Sequence, residues 1–146
     1  MKKFAFLFLS LLMVNVVVWA SNDKPIQVSE MPKMAQQFIQ QHFANQSVAV
    51  AKMEIDFMSK SYDVIFTNGD KVEFDKKGKW TNVDCEHSQV PVAVIPTAIQ
   101  NYIKQHYPEA KVLKIEKTDH KGYDVDLNNG FELEFDKRFK VVDIDR

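Results

Sequence analysis

Two segments of the chain have nearly the same sequence, and each carries an Asn-Gly pair between runs of alternating apolar and polar residues. They are YDVIFTNGDKVEFDK (62–76) and YDVDLNNGFELEFDK (123–137), and nine of their fifteen positions are identical. Alternation with a period of two predicts β-strands with one apolar and one polar face. An Asn-Gly pair between such runs is a strong hairpin signal, and we expect a type I′ turn with positive φ at both central residues. The chain therefore contains the same predicted hairpin twice.

A helical segment precedes each hairpin and is also duplicated. The segment MPKMAQQFIQQHFANQ, from Met31, aligns with IPTAIQNYIKQHYPEA, from Ile95. Both place apolar residues along one helix face, and Pro32 and Pro96 suit the first helical turn. With a further strand on either side of the hairpin, each copy is predicted to contain one helix and about four antiparallel strands. We therefore predict an α+β fold, with two tandem repeats forming one antiparallel sheet of about eight strands and both helices on one face.

The beginning of the chain has the layout of a secretory signal peptide. Lys2 and Lys3 precede an apolar stretch, 4–18, which ends before the small residue Ala20. A transmembrane anchor is the alternative, but it needs about 20 apolar residues, and this stretch is shorter and is interrupted by Ser10 and Asn15. We expect an exported protein that is periplasmic or secreted and that has no membrane contact after cleavage. The predicted boundaries are a signal peptide at 1–20, an N-terminal segment at 21–30, repeat 1 at 31–86, a linker at 87–94 and repeat 2 at 95–146.

The charge and the motifs of the chain exclude several classes of function. Without Lys2 and Lys3, 17 basic residues stand against 20 acidic ones, and the net charge of −3 argues against a nucleic-acid partner. The four histidines have no metal-ligand spacing, and no nucleophile, phosphate-loop or metalloprotease motif occurs. The single cysteine, Cys85, is expected to be a buried apolar residue, although His87 nearby leaves a thiol nucleophile as a weak alternative. We predict no catalytic residue, no metal ligand set, no cofactor and no enzymatic activity.

Alternate positions of the second hairpin carry carboxylates. Asp124, Asp126 and Asn128 could begin a calcium loop, but an EF-hand needs glycine at position 6 and glutamate at position 12, where this chain has Asn129 and Phe135. We interpret the acidic residues instead as one polar sheet face, for which a simple solvated surface is the alternative to a binding site. A weaker cation site on this face stays open. The residues predicted to share the face are Asp124, Asp126, Glu132, Glu134, Asp136, Asp143 and Asp145, opposite Val125, Leu127, Leu133, Phe135, Val142 and Ile144.

The first hairpin carries a different set of residues on the same predicted face. Asp63 is followed by Ile65 where the second copy has Asp126, and alternation from Val83 places Trp80 on the polar face as well. An outward tryptophan and isoleucine among charges are typical of a protein-binding hot spot. The alternative is that Trp80 is covered by a loop or packs against the other repeat.

The duplicated motifs resemble those of the PepSY-like family of exported bacterial proteins. The resemblance extends over 31–146 and lies in the proline-initiated helix, the Tyr-Asp-Val strand, the Asn-Gly turn and the Glu-Phe-Asp segment followed by Gly78 and Trp80. It implies a fold like that of β-lactamase-inhibitor proteins, with tandem α/β repeats in a curved sheet. Repeat 2 departs from the pattern, because Phe139 and Val141 replace Gly78 and Trp80. The family supplies no catalytic residues to carry over.

We therefore interpret the chain as an exported, non-enzymatic binding module. The leading hypothesis is recognition of an unidentified exported protein, one of basic charge, through the open sheet face; inhibition of an exported hydrolase is one form of this. The predicted protein-binding residues are Ile65, Trp80, Asp63, Asp124, Asp126, Glu132 and Glu134. The alternative hypothesis is binding of calcium, another cation or a small ligand by the acidic face of repeat 2.

Overall fold

The computed structural model describes residues 22–146, so the predicted signal peptide lies outside the described residues. These residues form nine strands and two ten-residue α-helices, of which α1 (Lys33–His42) follows the first strand and α2 (Thr97–His106) follows the fifth. None of the described helices is long and apolar enough to cross a membrane. The strands are β1 (Asp23–Ile26), β2 (Val48–Ile55), β3 (Lys60–Phe66), β4 (Lys71–Phe74), β5 (Trp80–Asp84), β6 (Val112–Lys117), β7 (Tyr123–Leu127), β8 (Glu132–Phe135) and β9 (Val141–Asp145).

All nine strands form one antiparallel sheet in which the spatial order is the chain order, from β1 to β9. The prediction of an α+β fold with a single antiparallel sheet is therefore confirmed, with nine strands rather than about eight. The additional strand is β1, which pairs with β2 through Asp23 and Glu54 at one end and Ile26 and Ala51 at the other. Its sequence, DKPI, has no alternation, and its proline is tolerated because the strand lies at the sheet edge.

Both Asn-Gly hairpins form, but the predicted type I′ turn is wrong. Gly69 and Gly130 have φ of 92° and 88°, whereas Lys121 and Phe139 are the only other described residues, apart from Gly78, with positive φ. The N–H of Gly69 donates to Phe66 O, and the N–H of Phe66 donates to Asp70 O. This is a three-residue loop in which a type I turn is followed by one left-handed residue. Only the glycine needs the left-handed conformation, so the asparagine keeps ordinary backbone angles.

The core lies between the helices and one face of the sheet. Phe38 of α1 packs edge-on against Phe74 of β4, and Tyr102 of α2 packs in the same way against Phe135 of β8, each at a ring separation of 5.5 Å. Directly paired residues lie on the same face of a sheet. The strand pairings connect one buried row across the sheet, which consists of Val64, Val72, Val83, Ile115, Val125 and Leu133.

One charged side chain is fully buried and connects the first hairpin to the linker. Asp70 follows Gly69, and its Oδ2 accepts hydrogen bonds from Ser88 Oγ, from Asn68 Nδ2 at 2.9 Å and from Gln46 Nε2 at 3.1 Å. A buried carboxylate is tolerated when it is hydrogen-bonded in this way. The network fixes the linker that leads from β5 to α2 against the first hairpin.

Candidate functional site

Two rows of mostly polar side chains cross the sheet on the face opposite the core, which we call the open face. The pairings of β2 through β9 align one residue per strand in each row, because strict pairing keeps opposite residues on one side. The first row is Lys52, Asp63, Glu73, Asn82, Glu116, Asp124, Glu134 and Asp143. The second row is Val50, Ile65, Lys71, Asp84, Lys114, Asp126, Glu132 and Asp145.

The part of these rows on β7, β8 and β9 consists of carboxylates alone, and we call it the acidic grid. Its six members line a shallow concavity of about 310 Å³, together with Lys114 and Glu116 of β6. In the grid Asp124 lies opposite Glu134, and Asp126 lies opposite Glu132. Like charges in directly opposed positions are destabilising. The repulsion between these carboxylates therefore lowers the free energy of unfolding. The acidic grid is Asp124, Asp126, Glu132, Glu134, Asp143 and Asp145.

The crowding raises the pKa of two aspartates. Partial desolvation raises the pKa of the Asp124 carboxyl, and repulsion by Glu134 and Glu116 raises it further. Desolvation also raises the pKa of Asp126, where Glu132 adds to the rise and the Lys114 ammonium opposes it. Both shifts have the same physical meaning, because the negative form of each group is disfavoured in the folded protein. A cation placed among these groups would relieve that repulsion.

The corresponding positions on β2, β3 and β4 are neutralised by lysines. Asp63 occupies the place that Asp124 has in the second hairpin, and its side chain is only 8% exposed. The Nζ of Lys71 lies 3.2 Å from Asp63 Oδ2, and the Nζ of Lys52 lies 3.6 Å from the same oxygen. Asp63 is therefore held inside an ion-pair cluster and offers little surface to a partner. Its neighbour Ile65 is half-buried and lies between Val50 and Lys71.

The prediction that Trp80 lies on the open face is wrong. Glu73 pairs with Asn82, but the next residue, Phe74, pairs with Trp80, so Thr81 forms a β-bulge. The extra residue reverses the alternation, and Trp80 lies on the core face with Phe74. There it packs against the core, with the Tyr123 ring centroid at 6.4 Å and the Nζ of Lys117 4.0 Å above its ring. Burial lowers the pKa of the Lys117 ammonium.

A second bulge makes the faces of β9 differ from the prediction. Glu134 pairs with Asp143, whereas Phe135 pairs with Val141, so Val142 is the extra residue. Val142 is consequently 55% exposed, and Val141 takes the predicted place of Val142 against the core. Asp136, which was also predicted on the acidic face, lies in the turn between β8 and β9. There its Oδ1 accepts backbone N–H bonds that lower the pKa of its carboxyl.

Two of the histidines and the cysteine lie apart from the acidic grid. His42 and His106 pack on the rings of Phe38 and Tyr102, one turn earlier in their helices. Burial raises the pKa of the Cys85 thiol to about 12, which keeps it protonated and unreactive. Within residues 22–146, no three histidine, cysteine or acidic side chains converge at metal-binding distances in this conformation.

The single open sheet, its two helices and its charged face define a small α+β module. Residues 60–143 match the PepSY-like family, described as candidate β-lactamase-inhibitor-like proteins, and the chain belongs to this family. The family is not a known class of enzyme. No curated protein is significantly similar to the chain in sequence.

The solved structures similar to this chain include the following three. A candidate calcium-regulated periplasmic protein from Bacteroides thetaiotaomicron is 62% identical, with a TM-score of 0.82, over 85% of this chain and 97% of that one. A candidate periplasmic protein from Bacteroides vulgatus is 59% identical, with a TM-score of 0.84, over 87% and 99% of the two chains. A periplasmic protein of unknown function from the same species is 37% identical, with a TM-score of 0.78, over 85% and 99%. The periplasmic relatives confirm the predicted export.

Proposed function

We propose that this protein is a non-enzymatic periplasmic binding protein whose acidic grid takes up calcium. The observation that carries the proposal is the set of six carboxylates on three adjacent strands. Two of these carboxyl groups, those of Asp124 and Asp126, have a raised pKa. Carboxylate oxygens are the ligands that calcium prefers, and calcium accepts six to eight of them in flexible geometry. The relative that is 62% identical is described as a candidate calcium-regulated protein, which supports the same ion here.

The proposal requires the grid side chains to move toward the ion. Their carboxylates do not converge in this conformation, and Asp124, Glu132 and Glu134 are exposed and can change rotamer. Because this ordering opposes binding, we expect a dissociation constant of about 10⁻⁴–10⁻³ M, as in extracellular calcium modules. Magnesium demands a rigid octahedral set of ligands and should bind less well.

The test is thermal unfolding with EDTA and with 5 mM calcium or magnesium. For a dissociation constant near 0.5 mM, 5 mM calcium adds about 1.4 kcal/mol to the free energy of unfolding. We expect the double variant Asp124→Asn/Glu134→Gln to lose most of this gain. The matched control is Glu73→Gln/Asp84→Asn, which removes two carboxylates from β4 and β5 and should keep it. An equal calcium effect in both double variants, or none in the wild-type protein, would refute the proposal.

A second candidate function is recognition of a basic exported protein, with inhibition of an exported hydrolase as its specific form. Its support is the β-lactamase-inhibitor-like description of the family and the apolar pair of Ile65 and Val50 beside the charged rows. Val50 is 45% exposed, so the pair could anchor a partner that the acidic grid attracts. For a partner purified after capture, Ile65→Ala should weaken binding by about 1 kcal/mol or more. Unchanged affinity in Ile65→Ala would exclude this anchor.

A further inference from the structure

Four turns of the sheet lie at the same end of the molecule, which we call the turn end. In an antiparallel sheet whose strands follow the chain order, successive connections alternate between the two ends. The turns between β2 and β3, β4 and β5, β6 and β7, and β8 and β9 therefore share one end. They comprise residues 56–59, 75–79, 118–122 and 136–140. From the first to the last of these turns the array spans six strand spacings, roughly 30 Å.

The turn between β2 and β3 exposes two large apolar side chains. Phe57 is 98% exposed and Met58 is 89% exposed, more than any other large apolar residue of the described chain. The backbone N–H of Phe57 donates to Asp56 Oδ1, and Asp56 and Ser59 exchange backbone hydrogen bonds. Hydrogen bonds of Asp56 and Ser59 thus close the turn, and the side chains of Phe57 and Met58 contribute almost no buried surface to the fold.

The turn end is basic on a chain that is acidic as a whole. The four turns contain seven lysines and arginines against four aspartates, a net charge of +3, whereas the full chain has −1. Asp75 Oδ1 accepts the backbone N–H groups of Lys77 and Lys79. Asp136 does the same for Arg138 and Lys140. These two acids are bound to their own turns, while the lysine and arginine side chains are exposed.

Met58 lies beside one of the basic turns. Met58 shares a surface hollow of about 310 Å³ with the turn between β4 and β5, which supplies Lys76, Lys77 and Lys79. Ser59, Lys60 and Asp75 complete the rim. An exposed apolar tip with several lysines beside it has the composition of a segment that enters the boundary between lipid headgroups and acyl chains.

We propose that the turn end binds an anionic phospholipid surface, with Phe57 and Met58 inserted between the headgroups. The lysines of the neighbouring turns then contact lipid phosphates, and their aliphatic stems cover apolar surface. The two basic turns, 75–79 and 136–140, each have a net charge of +2 and lie four strand spacings apart, roughly 19 Å. Two basic sites at this distance suit an extended charged plane better than a local pocket in a protein. The proposal departs from the expectation, drawn from the sequence, that the mature protein does not touch a membrane. It is independent of calcium binding, because the acidic grid lies on the open face and not in these turns.

The test is co-sedimentation of the mature chain with vesicles at 50 mM salt. One set contains equal parts of phosphatidylglycerol and phosphatidylethanolamine, and the other contains phosphatidylcholine alone. We expect binding to the anionic vesicles that is at least tenfold stronger than to the neutral ones. The double variant Phe57→Ser/Met58→Ser should weaken binding about tenfold, whereas Val92→Ser, which alters an exposed apolar residue outside the turns, should not change it. All these side chains are exposed, and a thermal melt of each variant checks that it remains folded.

Charge is tested with a second matched pair of variants. Lys76→Glu/Lys77→Glu alters the basic turn end, and Lys104→Glu/Lys111→Glu makes the same change in charge at exposed positions outside the four turns. Only the first pair should abolish binding to anionic vesicles. Three outcomes would overturn the proposal: no vesicle binding by the wild-type chain, full binding by Phe57→Ser/Met58→Ser, or equal loss in the two lysine pairs. If the wild-type chain binds no vesicles, the exposed tip would instead be explained by binding to a protein partner.

Discussion

The same substitution at equivalent positions of the two hairpins should change stability in opposite directions. Asp124 lies between two carboxylates, Glu116 and Glu134, directly opposite on the neighbouring strands. Opposed side chains in a sheet are about 5.5 Å apart, at which two like charges repel by about 0.75 kcal/mol in water. The two repulsions together exceed the attraction by the more distant Lys114 by about 1 kcal/mol. We therefore expect Asp124→Asn to raise the free energy of unfolding by about 1 kcal/mol at pH 7 and low salt.

Asp63→Asn is the matched variant in the first hairpin. Asp63 lies between Lys71 and Lys52, and its side chain is 8% exposed, so its charge is attracted rather than repelled. Each lysine keeps a second carboxylate partner, since Lys52 bonds Asp23 at 2.6 Å and Lys71 bonds Glu73. Neither ammonium is left without a partner, and we expect a loss of about 1–2 kcal/mol rather than the larger cost of an isolated buried charge.

Urea unfolding at pH 7 in 20 mM salt, with EDTA present, measures both changes. The gain from Asp124→Asn should shrink in 0.5 M salt, because exposed charges are screened. It should also shrink with acid. A raised pKa means that the folded state binds the Asp124 proton more tightly than the unfolded chain does. This favours folding below the unfolded-state pKa, and the benefit is lost as the pH rises through the folded-state pKa. If both variants destabilised the protein, or if the gain persisted unchanged in high salt, the electrostatic account of the acidic grid would be wrong.

Two further predictions concern side chains on the core side of the sheet. Trp80→Ala should lower the free energy of unfolding by about 2–3 kcal/mol, because the Trp80 ring is partly buried and is in contact with the Lys117 ammonium. A thermal melt identical to that of the wild-type protein would contradict the placement of Trp80 on the core face. The Cys85 thiol should resist a disulfide reagent at pH 8 in the folded protein and react promptly in 8 M urea, because its folded-state pKa of about 12 lowers the thiolate fraction about a thousandfold or more. Rapid labelling of the native protein would contradict the burial of Cys85.

The fold and the acidic grid were predictable because they depend on strict periodicity. Alternation placed Asp124, Asp126, Glu132 and Glu134 correctly on one face, since no bulge interrupts β7 or most of β8. Trp80 was misplaced because a bulge at Thr81 adds one residue, and the sequence WTNVD contains nothing that marks it. A single unmarked residue reverses every face assignment beyond it.

Other features depend on tertiary context that no local pattern expresses. Asp70 is one of many aspartates after a turn, and only the linker that supplies Ser88 makes it a buried acceptor. Phe57 and Met58 would ordinarily be expected in a core, but the β2–β3 turn leaves them 98% and 89% exposed. The role of the predicted binding residues stays a prediction until a ligand or partner is measured.

The agreement between strand order and chain order has a consequence for how the protein folds after export. Each strand from β2 to β9 pairs with the strand that precedes it in the sequence, either across a short turn or across one segment that contains an α-helix. A chain that crosses a membrane with its N-terminus first can add each strand to an edge that already exists. Such local pairing lowers the contact order and favours fast folding, which shortens the time during which an open strand edge is exposed to aggregation.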